Sequence, residues 1–385
     1  MDHDTPPGGY RPRQVPELRL DLRALDHNVQ LMAAWCRDQG VELAPHIKTT
    51  MTRPIVERQM AAGAWGVTVA TVTQAGRALE WGTPRVIIAN QVVHRMDLAL
   101  IRRWLDEMPR LEVYCFVDSL SGVDLARSAM DGTSNPLRVL IDIGADGGRT
   151  GVREPAVAGE LAKAVQASPG LLLAGVAGYE GVRPNLRDTA TLTHVDEHCQ
   201  KAIEVFRSLT PLFETVQPVF SMGGSAFPDR VVHALPEAAQ HPDRLPALSV
   251  LRSGCYVTHD HGTYEHVSPL PGLFAALTVR AVVVSTPEPG MAVIGAGKRE
   301  LPYDAGLPVL ISAHDPQGLP RSAATAIASQ IYDHHLVLTQ ARGLSVGDEV
   351  DLGISHPCSA FDRWPDITVI DDQGRTHDVW HPQFH

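Results

Sequence analysis

The sequence predicts an α/β fold: an N-terminal (β/α)8 TIM-like barrel over residues 18–265, then a β-rich C-terminal domain over residues 266–385 that also takes in residues 1–17. Three observations carry this expectation. Short β-branched runs such as Val86-Ile87-Ile88 alternate with longer amphipathic stretches as far as Glu265, the beat of repeated βα units and a parallel sheet. Six to eight such units in about 240 residues suit a closed barrel, with an open doubly wound sheet as the competing architecture. Beyond Glu265 the helical period disappears, and strand-like runs follow one another between Gly, Pro and Asp.

Taken in order, the candidate strands of the first part are 18–21, 43–47, 66–69, 85–89, 112–117, 137–143, 172–178 and 219–222. Between them the amphipathic segments 22–39, 53–62, 72–81, 121–130, 154–167 and 188–209 read as helices. In the second part strands are expected at 275–285, 291–294, 336–338, 349–353 and 367–371. Neither an internal repeat nor a low-complexity linker separates the two parts, so they are expected to pack closely.

Composition excludes several classes of function. A formal charge of −11 argues against nucleic acid as a partner, because phosphate binding needs basic patches. Hydrophobic content of 44% suits a soluble protein with a sizeable core. No run approaches the roughly 18 apolar residues of a membrane helix. The start, Met1-Asp2-His3-Asp4-Thr5, shows no basic segment ahead of an apolar one, so no secretion signal is expected. Cys36, Cys115, Cys199, Cys255 and Cys358 are scattered, odd in number and without a Cys-x-x-Cys pair. A reducing cytoplasm fits them better than a disulfide framework.

Polar residues at the strand ends of a barrel gather on one face, so residues far apart in sequence share one site. In Pro45-His46-Ile47-Lys48-Thr49-Thr50 a lone lysine sits between an imidazole and two hydroxyls. An imine-forming lysine needs such a place, where burial and polar neighbours ease loss of its proton. Asp142-Ile143-Gly144, running on to Arg149-Thr150-Gly151, follows a second strand, and Tyr179-Glu180-Gly181 a third. Gly223-Gly224-Ser225 follows a fourth, and its two glycines let backbone amides approach an anion as phosphate sites require. Gly254-Cys255-Tyr256 offers a further glycine on the next unit. An imine lysine, a phosphate turn, an Arg and a Tyr together describe a pocket for pyridoxal 5'-phosphate.

In this order and spacing, Pro45-His46-Ile47-Lys48-Thr49, Gln59 with Gly63-Ala64 and Gly66, Asp142 with Gly144 and Arg149-Thr150-Gly151, Gly223-Gly224-Ser225 and Gly254-Cys255-Tyr256 resemble the fold-type III pyridoxal phosphate enzymes. The branch they look like holds D-threonine aldolase and D-serine dehydratase, relatives of alanine racemase, and the likeness spans about residues 15–365. The resemblance implies that Lys48 holds the cofactor as an imine, with His46 beside it to shuttle protons. It implies a phosphate site at Gly223, Gly224, Ser225, Gly254 and Cys255, with Tyr256 in the same motif. It places Arg149 near the cofactor's phenolic oxygen and Tyr179 near its ring. A homodimer is implied on the same ground.

In Ile354-Ser355-His356-Pro357-Cys358 a histidine and a cysteine stand at i and i+2, so on an extended segment both side chains point the same way. Imidazole with thiolate favours zinc over magnesium or calcium. Relatives of this branch carry His-x-Cys in zinc-dependent dehydratases and His-x-Asp in aldolases that use manganese or magnesium, so Cys358 leans toward a dehydratase. Two departures accompany the likeness. A Glu-His-Gly expected upstream is replaced by Asp333-His334-His335-Leu336, where either histidine fills the place. His259-Asp260-His261 is a second same-side pair, a solvated loop or another metal site, while His194 and His198 read as surface residues.

The expected activity is dehydration and deamination of a D-β-hydroxy-α-amino acid to a 2-keto acid and ammonia. Retro-aldol cleavage to glycine and an aldehyde needs the same residues and is the alternative. Racemisation and a non-catalytic pyridoxal phosphate carrier stand further off, since such carriers lack a C-terminal β domain.

Overall fold

The computed structural model describes residues 14–181, 184–239, 247–323 and 325–384. Its first strand, β1 (Glu17–Asp21), leads directly into helix α1 (Leu22–Asp38), which Asp21 caps by accepting the amide hydrogen of Ala24. Eight parallel strands then follow: β2 (Glu42–Leu43), β3 (Val67–Val69), β4 (Arg85–Gln91), β5 (Glu112–Val117), β6 (Leu137–Ile143), β7 (Leu171–Gly178), β8 (Val219–Met222) and β9 (Leu248–Leu251). They hydrogen-bond in the order β2-β9-β8-β7-β6-β5-β4-β3. The ring closes between its two ends. Trp65 and Thr68 donate their amide hydrogens to the carbonyls of Leu43 and Pro45 at 2.8 and 2.9 Å, and His46 and Thr68 form a parallel bridge. The barrel expected from the sequence is therefore present, and the open sheet is not.

Inward side chains fill the barrel rather than leaving a pore. Ala44, Ile87, Tyr114, Phe116, Leu140, Ala174, Val219 and Val250 form a separate buried cluster inside it. The helices pack outside, several with side-chain caps from Thr71, Ser119 and Asp188 that match the polar residue ahead of each amphipathic run.

A second, mixed sheet holds β10 (Leu277–Ser285), β11 (Ala292–Ile294), β12 (Val309–His314), β13 (Ile327–Ile331), β14 (Leu336–Thr339), β15 (Glu349–Gly353), β16 (Ile367–Ile370) and β17 (Thr376–Trp380). The strand at 18–21 belongs here and not to the barrel: β1 runs antiparallel to β10 and parallel to β16. A strand feeding a helix looks like a βα unit locally, but Leu18 and Leu20 find their burial against partners about 250 residues on. A second correction concerns 43–47. The strand stops at Leu43, and Ile47–Thr49 is a 3-10 turn. The eighth barrel strand β9, the helices Arg95–Glu107 and Pro228–Ala239, and β12, β13 and β17 were not expected from the sequence.

Candidate active site

At the C-terminal ends of the barrel strands lies a cavity of about 370 Å³. Its walls include His46, Lys48, Arg149, Tyr179, Gly223, Gly224, Ser225, Gly254, Cys255 and Cys358. Lys48 reaches it because Ile47 is buried on the other side of the 3-10 turn, which the amides of Thr50 and Met51 close on the Ile47 carbonyl. His46 lies beside it, with Nδ1 buried and without a hydrogen-bond partner. Burial, then the charges of Lys48 and Arg252, hold the His46 imidazole well below its ordinary range, so it is neutral at physiological pH.

The glycine turns converge. Gly223 has φ +121°, and a Cβ there would meet Leu251 Cδ1 at 2.6 Å, so this position needs glycine. Ser225 Oγ accepts the amide hydrogens of Cys255 at 3.1 Å and Gly254 at 3.3 Å. Glu180 Oε1 accepts that of Gly224 at 2.8 Å. Amides from two strand ends thus already serve oxygen acceptors at the cavity wall, where a phosphate monoester would present its own. The Arg149 guanidinium stands 4.7 Å from the centre of the Tyr179 ring, whose hydroxyl burial pushes up to about 12. The cavity, lysine, amides and cation fit pyridoxal phosphate.

Three further residues support the site, of which Arg252 and Tyr264 were not singled out from the sequence and Asp142 was quoted only as part of its motif. Arg252 is buried, donates to Ser221 Oγ and to the Gly178 carbonyl at 2.6 Å each, and lies 5.3 Å from the Phe116 ring. Burial lowers it to about 10. Asp142 accepts from Gln91 and Thr150 at 2.9 Å each, fixing the loop that carries Arg149. Tyr264 lines the cavity and packs 5.3 Å from the His356 ring. The only sequence signal for Arg252 was its place two residues before Gly254.

Beside Thr49, the residue after Lys48, Cys255, His356 and Cys358 bring one donor atom each within 4.8 Å of one another. The two sulfurs are 3.4 Å apart, within hydrogen-bonding distance of one another. Cys255 is the more acidic, lowered to about 7 by its hydrogen bond with Cys358, and that same bond raises Cys358. The Lys48 charge acts on both Cys358 and His356, which puts lysine and cluster at one site. Sulfur with imidazole is a donor set for a zinc-class ion.

Other sequence expectations change. Tyr256 turns away from the cavity, its buried hydroxyl accepting from Gln59 Nε2 at 3.0 Å, because the turn after Gly254 points it under the barrel rim. His259 is buried and faces Glu265 at 3.4 Å, so it is not solvated, and neither it nor His261 belongs to the Cys255–His356–Cys358 cluster. His198 is buried, whereas His194 is exposed beside Glu197. His334 is exposed and bonded to Glu300, and neither His334 nor His335 lines the cavity.

A family model described as "Alanine racemase, N-terminal domain" matches residues 20–227. The chain belongs to that family. A second, "Putative serine dehydratase domain", matches residues 276–370, within the second sheet. D-threonine aldolase of Arthrobacter sp. is 27% identical over 370 residues, 95% of this chain and 91% of that protein. D-threo-3-hydroxyaspartate dehydratase of Delftia sp. (strain HT23) is 28% identical over 302 residues, 76% and 73% of the two chains. Among solved structures, D-threonine aldolase from Filomicrobium marinum superposes with a TM-score of 0.80 at 26% identity, covering 96% of this chain and 95% of its own. No helix among the described residues is long and apolar enough to cross a membrane.

Proposed function

We propose that this protein is a pyridoxal phosphate- and metal-dependent lyase that dehydrates and deaminates D-β-hydroxy-α-amino acids to a 2-keto acid and ammonia. One observation carries the reading: the His356–Cys358 donor pair stands at the cavity into which Lys48 projects. Lys48 would hold the cofactor's aldehyde carbon and Gly223, Gly224, Ser225, Gly254 and Cys255 its phosphate, with Arg149 near its phenolic oxygen and Tyr179 near its ring. When bound, the cofactor supplies an electron sink for the α-carbon, and the divalent ion, zinc rather than manganese or magnesium, supplies a Lewis acid toward the β-hydroxyl. Lys48 would remove the α-proton while the β-hydroxyl departs with a proton as water, and hydrolysis of the released enamine by a second water gives the 2-keto acid and ammonia. His46, kept neutral, offers a hydrogen-bonding nitrogen beside Lys48 without adding a further positive charge next to Lys48 and Arg252. Phe116 and Arg252, both buried, form part of the cavity lining.

The fuller alignment with a D-threonine aldolase favours a second reading, cleavage of the same substrates to glycine and an aldehyde. The two readings part on products. A panel of D- and L-β-hydroxy amino acids, with and without a chelator, is scored for keto acid and for aldehyde. The expected result is keto acid from D-substrates only, lost on chelation and restored by zinc. Undiminished turnover after complete metal removal defeats the reading. A homodimer is part of it, supported by the family resemblance and tested by sedimentation equilibrium.

A further inference from the structure

We propose that Cys255 is a third protein ligand of the metal, completing with His356 and Cys358 a site of two sulfurs and one nitrogen. This rests on the reading that a metal sits at His356 and Cys358, and it goes further by assigning a ligand from the barrel itself.

The geometry suits one ion. Two thiolates bound tetrahedrally at about 2.3 Å stand about 3.8 Å apart, so sulfurs at 3.4 Å need to separate by only a few tenths of an ångström. The imidazole nitrogen completes a triangle with no edge above 4.8 Å. The fourth position then faces the cavity, the open site a catalytic ion requires.

The surroundings point the same way. His356 Nδ1 lies 4.0 Å from Asp260 Oδ2, both atoms are buried, and neither has a hydrogen-bond partner. Asp260 is fully buried, held through its other oxygen by the amides of Gly262 and Tyr264. A carboxylate facing one imidazole nitrogen leaves Nε2 to ligate, the arrangement that orients metal-bound histidines. Buried structural thiols sit among apolar groups, as Cys115 does in the barrel wall. Cys255 and Cys358 instead face the cavity beside the hydroxyl of Thr49, at 3.7 and 4.0 Å.

Cys255 also belongs to the phosphate turn through its backbone amide. One residue therefore touches both prospective groups, and occupancy of the metal site and of the phosphate site must be coupled reciprocally.

The test uses the purified full-length holoenzyme with its metal exchanged for cobalt(II), in a thiol-free reductant. Sulfur-to-cobalt charge-transfer absorption reports thiolate ligands independently of turnover. Both Cys255→Ser and Cys358→Ser are expected to lower this band to about half of its wild-type intensity. Zinc affinity falls at least about tenfold in Cys255→Ser, while manganese affinity, set by harder donors, stays within about twofold. Cys255→Thr repeats the measurement should the serine variant fold poorly. If the band survives both Cys255 changes intact and vanishes in Cys358→Ser, Cys255 is not a ligand and the His356–Cys358 reading stands. A wild-type protein without any such band overturns both.

Discussion

Glu180, 1% exposed, places Oε1 2.8 Å from the amide nitrogen of Gly224 and accepts its hydrogen. A carboxylate therefore occupies one of the donors on which the phosphate turn depends. Burial pushes this carboxyl up to about 7, against the pull of its backbone hydrogen bonds and of Arg252.

The first prediction follows from that contact. An ionised Glu180 repels a phosphate dianion, whereas a protonated one does not, so cofactor affinity falls as pH rises through about 7. Glu180→Gln keeps an oxygen for the Gly224 amide but cannot ionise. It should bind pyridoxal phosphate about tenfold more tightly than wild type at about pH 8.5 and equally at about pH 5.5, by fluorescence titration. The apoprotein obeys the same sign. The folded pKa is raised above 4.5, so between 4.5 and about 7 the folded state binds more protons than the unfolded chain, and stability drops as pH rises. The loss is up to about 3 kcal/mol and is absent in the variant. Superimposable wild-type and variant pH curves would remove Glu180 from the cradle.

Lys48 gives the second prediction. Borohydride reduction of the protein with pyridoxal phosphate should label one peptide, that containing Lys48, and Lys48→Ala should lose both the label and at least about 10³-fold in kcat. Its far-ultraviolet dichroism should match wild type, because the lysine is only half-buried at the cavity wall. A label on another lysine defeats the assignment.

A third prediction concerns Gly254. A Cβ here runs into the carbonyl oxygen of His46, backbone against backbone, so Gly254→Ala must push the phosphate turn away from the segment leading to Lys48. We expect a destabilisation of about 1–3 kcal/mol and a larger relative rise in cofactor Kd than in substrate KM. Equal effects on both would mean general loosening instead of a displaced turn.

The barrel was legible because its strands and helices carry their periods locally, and because Lys48, Arg149, Tyr179 and the Gly223 turn all sit at strand ends, where the topology must gather them. What could not be read depends on partners distant in sequence. Leu18 and Leu20 alternate like any strand, and nothing local says that β10 rather than β2 receives them. Cys255 reads in sequence as part of a glycine turn, yet its thiol meets Cys358 across 103 positions. The motif does not disclose where Tyr256 points: its neighbours line the cavity while its own side chain turns to Gln59. His259 and His198 looked solvated from composition, but burial is a property of packing that polar sequence context does not disclose.

The fourth prediction lies in the second sheet, where Asp351 on β15 accepts from Arg280 at 2.9 and 2.8 Å, from Ser312 at 2.8 Å and from Arg19 at 3.4 Å. Four strands, β1, β10, β12 and β15, are tied by this one carboxylate. Burial would raise it, but the Arg280 hydrogen bonds and charge outweigh burial and hold it below the usual range. A depressed carboxyl contributes its stability above the unfolded pKa and loses it as pH falls through the folded one. Asp351→Asn removes the carboxylate that Arg19 and Arg280 share, leaving them Glu17 and Glu349 at 3.7 and 3.5 Å, and should cost about 1–3 kcal/mol at neutral pH by urea unfolding, the gap narrowing as acid protonates the wild-type carboxylate. Because Arg19 sits on β1, immediately ahead of the helix that Asp21 caps, the variant should also lose hydrogen-exchange protection in residues 22–38 before the rest of the barrel. Retained protection there would show that the barrel holds its first helix without help from the second sheet.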